Sequence, residues 1–162
     1  MDIEISGKTL VLRPMTQKEH RALWRKYLPD AVTPGNARTF EYDEEKTDAL
    51  FEALNEKADW CPAAGIFTKN DEIVGMIQLP RVIYSERRSD VYLLIANETL
   101  RGKGYGTDAL ELALEFAKRQ MSLTRVYAEV PANNARMIRV LQKCGFMNTR
   151  GEGERRFFVK VM

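Results

Sequence analysis

The sequence predicts one α/β domain, a mixed sheet with helices packed on its faces. Three observations predict it. Alternating or short apolar runs and stretches of 3.6-residue periodicity follow one another as strand, two helices, three strands, helix, strand, helix, two strands. The fourth of these strands passes through a loop with glycine at every second position, 102 to 106, straight into a long amphipathic helix. The chain has 162 residues, 44% of them hydrophobic, which suits one well-buried core and is too short for two. Residues 1–162 are therefore expected to form a single domain.

Each element has its own local signal. "TLVLR" (9–13) reads as a first strand closed by Pro14, and Thr16 with Glu19 forms a T-x-x-E capping box that starts a helix. Leu23, Trp24, Tyr27 and Leu28 give that helix one apolar face, and Pro29 ends it. Pro34 and Gly35 mark a loop, and a second helix begins near Asp43, with Ala49, Leu50, Ala53 and Leu54 at helical spacing. Its acidic first turn suits the positive end of the helix dipole. "AAGIFTKNDEIVGMIQL" is two apolar runs joined by Asn70 and Asp71, a hairpin, and "SDVYLLIAN" is the strand that reaches the glycine loop. Beyond the loop, Leu110, Ala113, Leu114, Ala117 and Met121 define the buried face of a third helix. A strand "RVYAEV" breaks at Pro131, and a fourth helix, Ala135 to Cys144, stops at Gly145 as at a C-terminal glycine cap. The last residues form a hairpin around Gly151 and Gly153. The chain has no internal repeat and no low-complexity segment.

Composition excludes several function classes. A net charge of +2 with an acid-rich stretch at 41–57 lacks the clustered basic face that nucleic acid requires, and the Arg-rich segments 81–88 and 136–156 carry interleaved acids and no aromatic stacking motif. Cys61 and Cys144 stand far apart with no C-x-x-C spacing, so neither a zinc site nor a disulfide is expected, and both read as reduced thiols. The start of the sequence shows no basic segment followed by an apolar one, and no apolar run is long enough to span a bilayer. The expectation is a cytoplasmic protein without metal, nucleic-acid or membrane partners.

The glycine loop carries the functional signal. Between strand and helix, unpaired N–H groups and the positive end of the helix dipole favour an anion, with phosphate the natural occupant. Gly102, Gly104 and Gly106 permit tight turning and close approach of backbone to ligand, and Arg101 and Lys103 add positive charge. The chain contains no G-x-x-x-x-G-K-[ST] string, and the dinucleotide fingerprint would need glycine where Thr107 stands.

The pattern that fits is R-x-x-G-x-G, Arg101-Gly102-Lys103-Gly104-Tyr105-Gly106, and with it the sequence resembles the GNAT superfamily of acyl-CoA N-acyltransferases. Asn134 followed by "ARMIRVLQKCGF" looks like that family's N-x-x-[AS]-x-x-x-x-x-K-x-G-F segment, and "LVLRPMTQKE" is similar to openings in its ribosomal-protein N-terminal acetyltransferase (RimJ/RimL-like) branch. The resemblance implies a mostly antiparallel mixed sheet with helices on both faces and a splay between the fourth and fifth strands. It implies acetyl-CoA as cofactor, its pyrophosphate on the loop from Arg101 through Gly102, Lys103, Gly104, Tyr105 and Gly106 to Thr107. It also implies pantetheine contacts from Asn134 and from the backbone of Leu94 and Ala96. The expected activity is acetyl transfer by direct attack of a primary amine, on a small molecule or a protein N-terminus, by a monomer or homodimer. The alternative is a non-catalytic acyl-CoA-binding module.

Acyl transfer to an amine needs a neutral amine, stabilisation of an oxyanion and a proton for the departing thiolate. Asp90, eleven residues before Arg101, matches the spacing of the glutamate base in histone-acetyltransferase relatives, and the plain alternative is a solvated charge beside Arg87 and Arg88. Glu129 is a second carboxylate candidate. Where many family members place a tyrosine acid, seven residues after the asparagine, this chain has Leu141. Tyr92 and Tyr127 are candidates to reach the cleft, and Trp24 and Tyr27 to line the acceptor side; each can equally be core. Cys144 reads as a small buried hydrophobe and His20 as a packing or surface residue.

Overall fold

The computed structural model describes residues 1–28 and 40–162. The expected loop around Pro34 and Gly35, and the Pro29 stop, lie outside the described residues. The chain begins with a short strand not anticipated from sequence, β1 (Ile5–Ser6), which folds back on β2 (Leu10–Arg13) through a turn in which Gly7 N–H donates to Leu10 O at 2.8 Å. Helix α1 (Gln17–Lys26) starts at the expected capping box, with both arms present: Glu19 N–H donates to Thr16 Oγ1 (3.2 Å) and Thr16 N–H to Glu19 Oε1 (2.9 Å). Asp43 caps α2 (Glu44–Glu56), accepting from Lys46 N–H at 2.9 Å. The inward face of α2 is shifted from the expected one: Leu50 is exposed and Thr47 buried, Phe51 sits 5.3 Å from the His20 ring where α2 packs on α1, and Leu54, as expected, packs against the cluster of Leu23 and Phe67.

Strands β3 (Ala63–Thr68) and β4 (Ile73–Gln78) form the expected hairpin, with Asp71 at φ 61° in its turn. The expected fourth strand is two. After a single 3-10 turn at Tyr84–Glu86 the chain forms β5 (Arg88–Asp90), crosses at Val91 and continues as β6 (Tyr92–Ile95). Helix α3 (Tyr105–Arg119), strand β7 (Arg125–Pro131), helix α4 (Ala135–Lys143) and the hairpin of β8 (Met147–Glu152) and β9 (Arg155–Val161) complete the chain. Gly145, at φ 84°, ends α4 as expected, and Gly153, at φ 55°, turns the last hairpin.

The strands make two sheets, β1-β2-β3-β4-β6 and β5-β7-β9-β8, antiparallel throughout except for the parallel pair β5–β7. One continuous stretch, residues 88–95, belongs to both. Helices cover both faces. One core joins Leu10, Leu12, Ile66 and Ile77 to Leu110, Ala113 and Ala117 of α3 and Leu141 of α4, and extends into the second sheet through Val126, Ala128 and Phe158. Full burial of each such large side chain stabilises the fold by roughly 1.5–3 kcal/mol. A smaller cluster on the opposite face packs Leu23 of α1 on Phe67, Ile73, Met76 and Ala96.

Candidate active site

The site begins with the fork at Val91. Val91 N–H donates to Tyr127 O at 2.9 Å, toward β7, whereas Asp90 and Ala96 donate the other way, to Pro80 O (2.8 Å) and Val74 O (2.9 Å) on the β4 side. Backbone groups in an antiparallel ladder alternate in direction, so β6 turns the N–H and C=O of Leu93 and Ile95 away from β4, into the gap left by β7. This corrects the expectation for Leu94 and Ala96. Leu94 lines the gap, yet its backbone faces Met76, and the Ala96 N–H and C=O are taken by Val74 O and Leu28 N–H. Side chains alternate too. Leu94 packs toward α1, while Leu93 and Ile95 pack toward α3 and α4.

At the other end of β6 lies the glycine loop. Gly102 (φ 76°) and Gly104 (φ 83°) occupy left-handed backbone conformations that favour glycine, and Gly104 is the N-cap of α3 with no side chain to satisfy the first helical amides. Asp108 N–H is the first to find a carbonyl within the helix, that of Gly104 at 3.0 Å. Gly106 differs from the other two: its φ is not positive, and a Cβ there would touch Leu93, Val140 and Ile95 at ordinary distances of 3.6–3.9 Å.

Loop, fork and α4 enclose a cavity of about 390 Å³. Of the residues expected to hold cofactor, Leu94, Arg101, Gly102, Gly104, Tyr105, Gly106, Thr107 and Asn134 line it, and Ala96 and Lys103 do not. Asn134 caps α4, its Oδ1 accepting from Met137 N–H at 3.1 Å, and the same side chain borders the cavity. Arg101 serves as a brace as well as a wall, its Nη2 donating to Leu28 O and Ile95 O, both at 3.1 Å. Three lining cations escaped the sequence reading: Arg136, Arg139 and Lys143. Their i, i+3, i+7 spacing on α4 was the available signal. Such a cavity suits an elongated polyanion with an apolar, amide-bearing arm, with orphan amides and cations at one end and a strand edge that no neighbouring strand covers at the other.

The acid–base candidates are placed as follows. Asp90 forms an ion pair with Arg81 and is not among the residues that line the cavity. Glu129 accepts from Arg155 Nε at 3.0 Å on the exposed face of β7. Tyr127 likewise lies off the cavity, its hydroxyl accepting from Arg125 at 3.3 Å. Burial pushes the Cys144 thiol up to about 11, with Glu111 adding to the shift, and Leu141 is fully buried. His20 is buried in the α1–α2 packing, where burial lowers its pKa against the opposing pull of Asp48, and its Nε2 accepts from Trp24 Nε1 at 3.0 Å. Tyr27 and Tyr92 do line the cavity. Trp24, Tyr27 and Phe40 form an aromatic cluster on this side, with ring centroids 4.9–5.7 Å apart. No group of three or more His, Cys, Asp or Glu among the described residues could hold a metal, and no helix there is long and apolar enough to cross a membrane.

Comparison with known proteins agrees with this geometry. Residues 9–147 match the family model described as acetyltransferase (GNAT) domain. The chain is 26% identical over 168 residues to the Probable N-acetyltransferase YjcK of Bacillus subtilis, covering 97% of this chain and 89% of that protein. It is 30% identical over 88 residues to the spermidine N(1)-acetyltransferase of Escherichia coli K12, covering 54% of this chain and 46% of that one. Among solved structures, RimL, a ribosomal alpha-N-protein acetyltransferase in complex with coenzyme A, superposes with a TM-score of 0.81 at 14% identity, over 99% of this chain and 98% of that one.

Proposed function

The chain belongs to the acetyltransferase (GNAT) domain family, whose members use acetyl-CoA, and from that membership we propose that it acetylates a primary amine, on a small molecule or a protein N-terminus, by direct attack on the thioester carbonyl. The observation that carries the reading is the meeting, in one cavity, of the orphan amides at the start of α3 and the edge of β6 that no strand covers. The pyrophosphate is assigned to the amides from Gly102 to Thr107, with the α3 dipole and the cations of α4 beside it. The pantetheine arm is assigned to the Leu93 and Ile95 backbone, as a strand added to an open edge, with the Asn134 amide as a further donor. An N–H on that edge would meet the carbonyl oxygen as it gains charge. The amine would arrive from the α1 side, where the faces of Trp24, Tyr27 and Phe40 attract an ammonium group.

The test is release of free CoA from acetyl-CoA with a panel of spermidine, a single amino acid, a lysine peptide blocked at its N-terminus, and peptides with free N-termini. Turnover with one class of amine assigns the acceptor. Acetyl-CoA binding without turnover on any amine, or no binding, would overturn the proposal.

A further inference from the structure

A thioester that loses its acetyl group leaves a thiolate, and the family's tyrosine position cannot serve it here, since Leu141 is fully buried and outside the cavity. The described groups lining the cavity include no carboxylate, imidazole or thiol. Its titratable members are the cations Arg101, Arg136, Arg139 and Lys143 and the phenols Tyr27, Tyr92 and Tyr105. Tyr105 opens α3 at the phosphate end. Tyr92 stands at the opposite end, next to Val91, where the two sheets rejoin, and about 10 Å along the strand from Ile95 at ~3.3 Å per residue. With phosphates on the loop and the arm laid along β6, the sulfur arrives at that closed end. Tyr92 shares the parity of Leu94 and so projects toward the α1 side, and its ring remains 48% exposed, as a wall of an open cleft does.

We propose that Tyr92 is the proton donor to the departing CoA sulfur, a role displaced in this chain from α4 to the first residue of β6. The inference rests on the reading given under Proposed function. As the C–N bond forms, the adduct carries a protonated nitrogen and an oxyanion. When the C–S bond breaks, the sulfur takes the electron pair and the phenolic proton, and Tyr92 recovers a proton from the nitrogen, directly or through water. Amide and free thiol result with no other reactant. Burial raises the Tyr92 pKa above 10, and the nearby Tyr27 raises it further. The phenol is thus protonated throughout the neutral range and acts as donor, not base. A thiol is the stronger acid, so the transfer runs only because the acidic nitrogen of the adduct returns the proton.

The experiment measures binding of CoA and of desulfo-CoA, which lacks the thiol, by calorimetry between pH 7 and 9.5. A hydroxyl that donates to the sulfur favours thiolate, so CoA should gain about tenfold over desulfo-CoA across this range, the worth of one charge-assisted hydrogen bond. Contacts to the phosphates common to both ligands cancel in the ratio, and the cavity cations act on the sulfur equally in the unaltered protein and in Tyr92→Phe, so the difference between those two proteins isolates the hydroxyl. Tyr92→Phe, which removes one hydroxyl from a half-exposed ring, should abolish the gain and leave desulfo-CoA affinity unchanged, and Tyr27→Phe should keep the gain. With an amine that turns over, Tyr92→Phe should also lower kcat by ~10²-fold or more at unchanged KM for acetyl-CoA. A gain that survives Tyr92→Phe, or that is lost only in Tyr27→Phe, overturns the assignment. Absence of desulfo-CoA binding to the unaltered protein overturns the cofactor site itself.

Discussion

Asn134 caps α4 and is proposed to contact the pantetheine arm, and substitution separates the two roles by atom: its Oδ1 accepts from Met137 N–H, and its Nδ2 is the donor assigned to the arm. Asn134→Ala should cost about 1 kcal/mol of stability without ligand, the usual worth of an N-cap, and weaken acetyl-CoA binding as well. Asn134→Asp keeps the capping oxygen and loses the donor, so thermal melts should show the stability retained and the ligand-induced shift reduced. Equal shifts in the aspartate variant would make Asn134 a cap alone. Gly104→Val places a β-branched residue at φ 83°, a strain of roughly 1–2 kcal/mol, and should abolish the acetyl-CoA shift while the fold survives. Asp90→Asn distinguishes a base from an ion-pair partner. Its pairing with Arg81 predicts lower stability with turnover within a few-fold, and a fall of ~10²-fold or more that shrinks at high pH would assign it the base role instead.

At the scale of elements, α1 is tied at both ends. At its start, Arg13 grips Glu19 with two bonds, 3.0 and 2.7 Å, and Glu19 also receives Thr16 N–H. These partners, Arg13 first, hold the Glu19 carboxyl down to about 2 from the usual 4.5. A depressed carboxyl stabilises the fold above its unfolded pKa and loses that contribution as pH falls from about 4.5 toward 2. Glu19→Gln should therefore be less stable by about 1 kcal/mol at pH 7, a value reduced by partial solvent screening, and the gap should close through that acid window. The end of α1 is stapled to the cofactor strand. Leu28 N–H donates to Ala96 O (2.8 Å), Asn97 Nδ2 to Lys26 O (3.0 Å), and Arg101 bridges Leu28 and Ile95. If Arg101 acted only as a phosphate cation, Arg101→Lys would be nearly silent. Because lysine cannot reproduce the planar fork, the variant should lose several degrees of Tm without ligand, readable by calorimetry.

The whole molecule behaves as one unit if its two sheets share a core, and Phe158 and Val126 of the second sheet do pack in the same cluster as Leu10 and Ile77 of the first. We propose a single domain on this ground, with one cooperative thermal transition. Acetyl-CoA at 100 times its Kd stabilises the folded state by about 2.7 kcal/mol and should raise Tm by about 5–10 °C as a rigid shift of that single transition. Two transitions, only one of them ligand-sensitive, would show that the sheets unfold apart and that the fork is a hinge.

Local rules decided what the sequence determined by itself. The Thr16–Glu19 box, the buried stripe of α3 from Leu110 to Ala117, the glycine stop at Gly145 and the left-handed glycines 102 and 104 each depend on residues a few positions apart, so each was legible, and with them the loop to which we assign the phosphates. The reacting end was not. An isolated strand with period two does not say which of its alternate amides will be taken by a neighbour. Pairing with β4 decided that Leu93 and Ile95, and not Leu94 and Ala96, present their backbone to the gap, and pairing of β5 with β7 placed the fork at Val91. Tertiary packing likewise brought Asp90 to Arg81, turned Thr47 of α2 inward in place of Leu50, and left Tyr92 on the cavity wall. Hydrogen-bond register between segments distant in sequence is a property of the assembled sheet, and only the tertiary structure decides it.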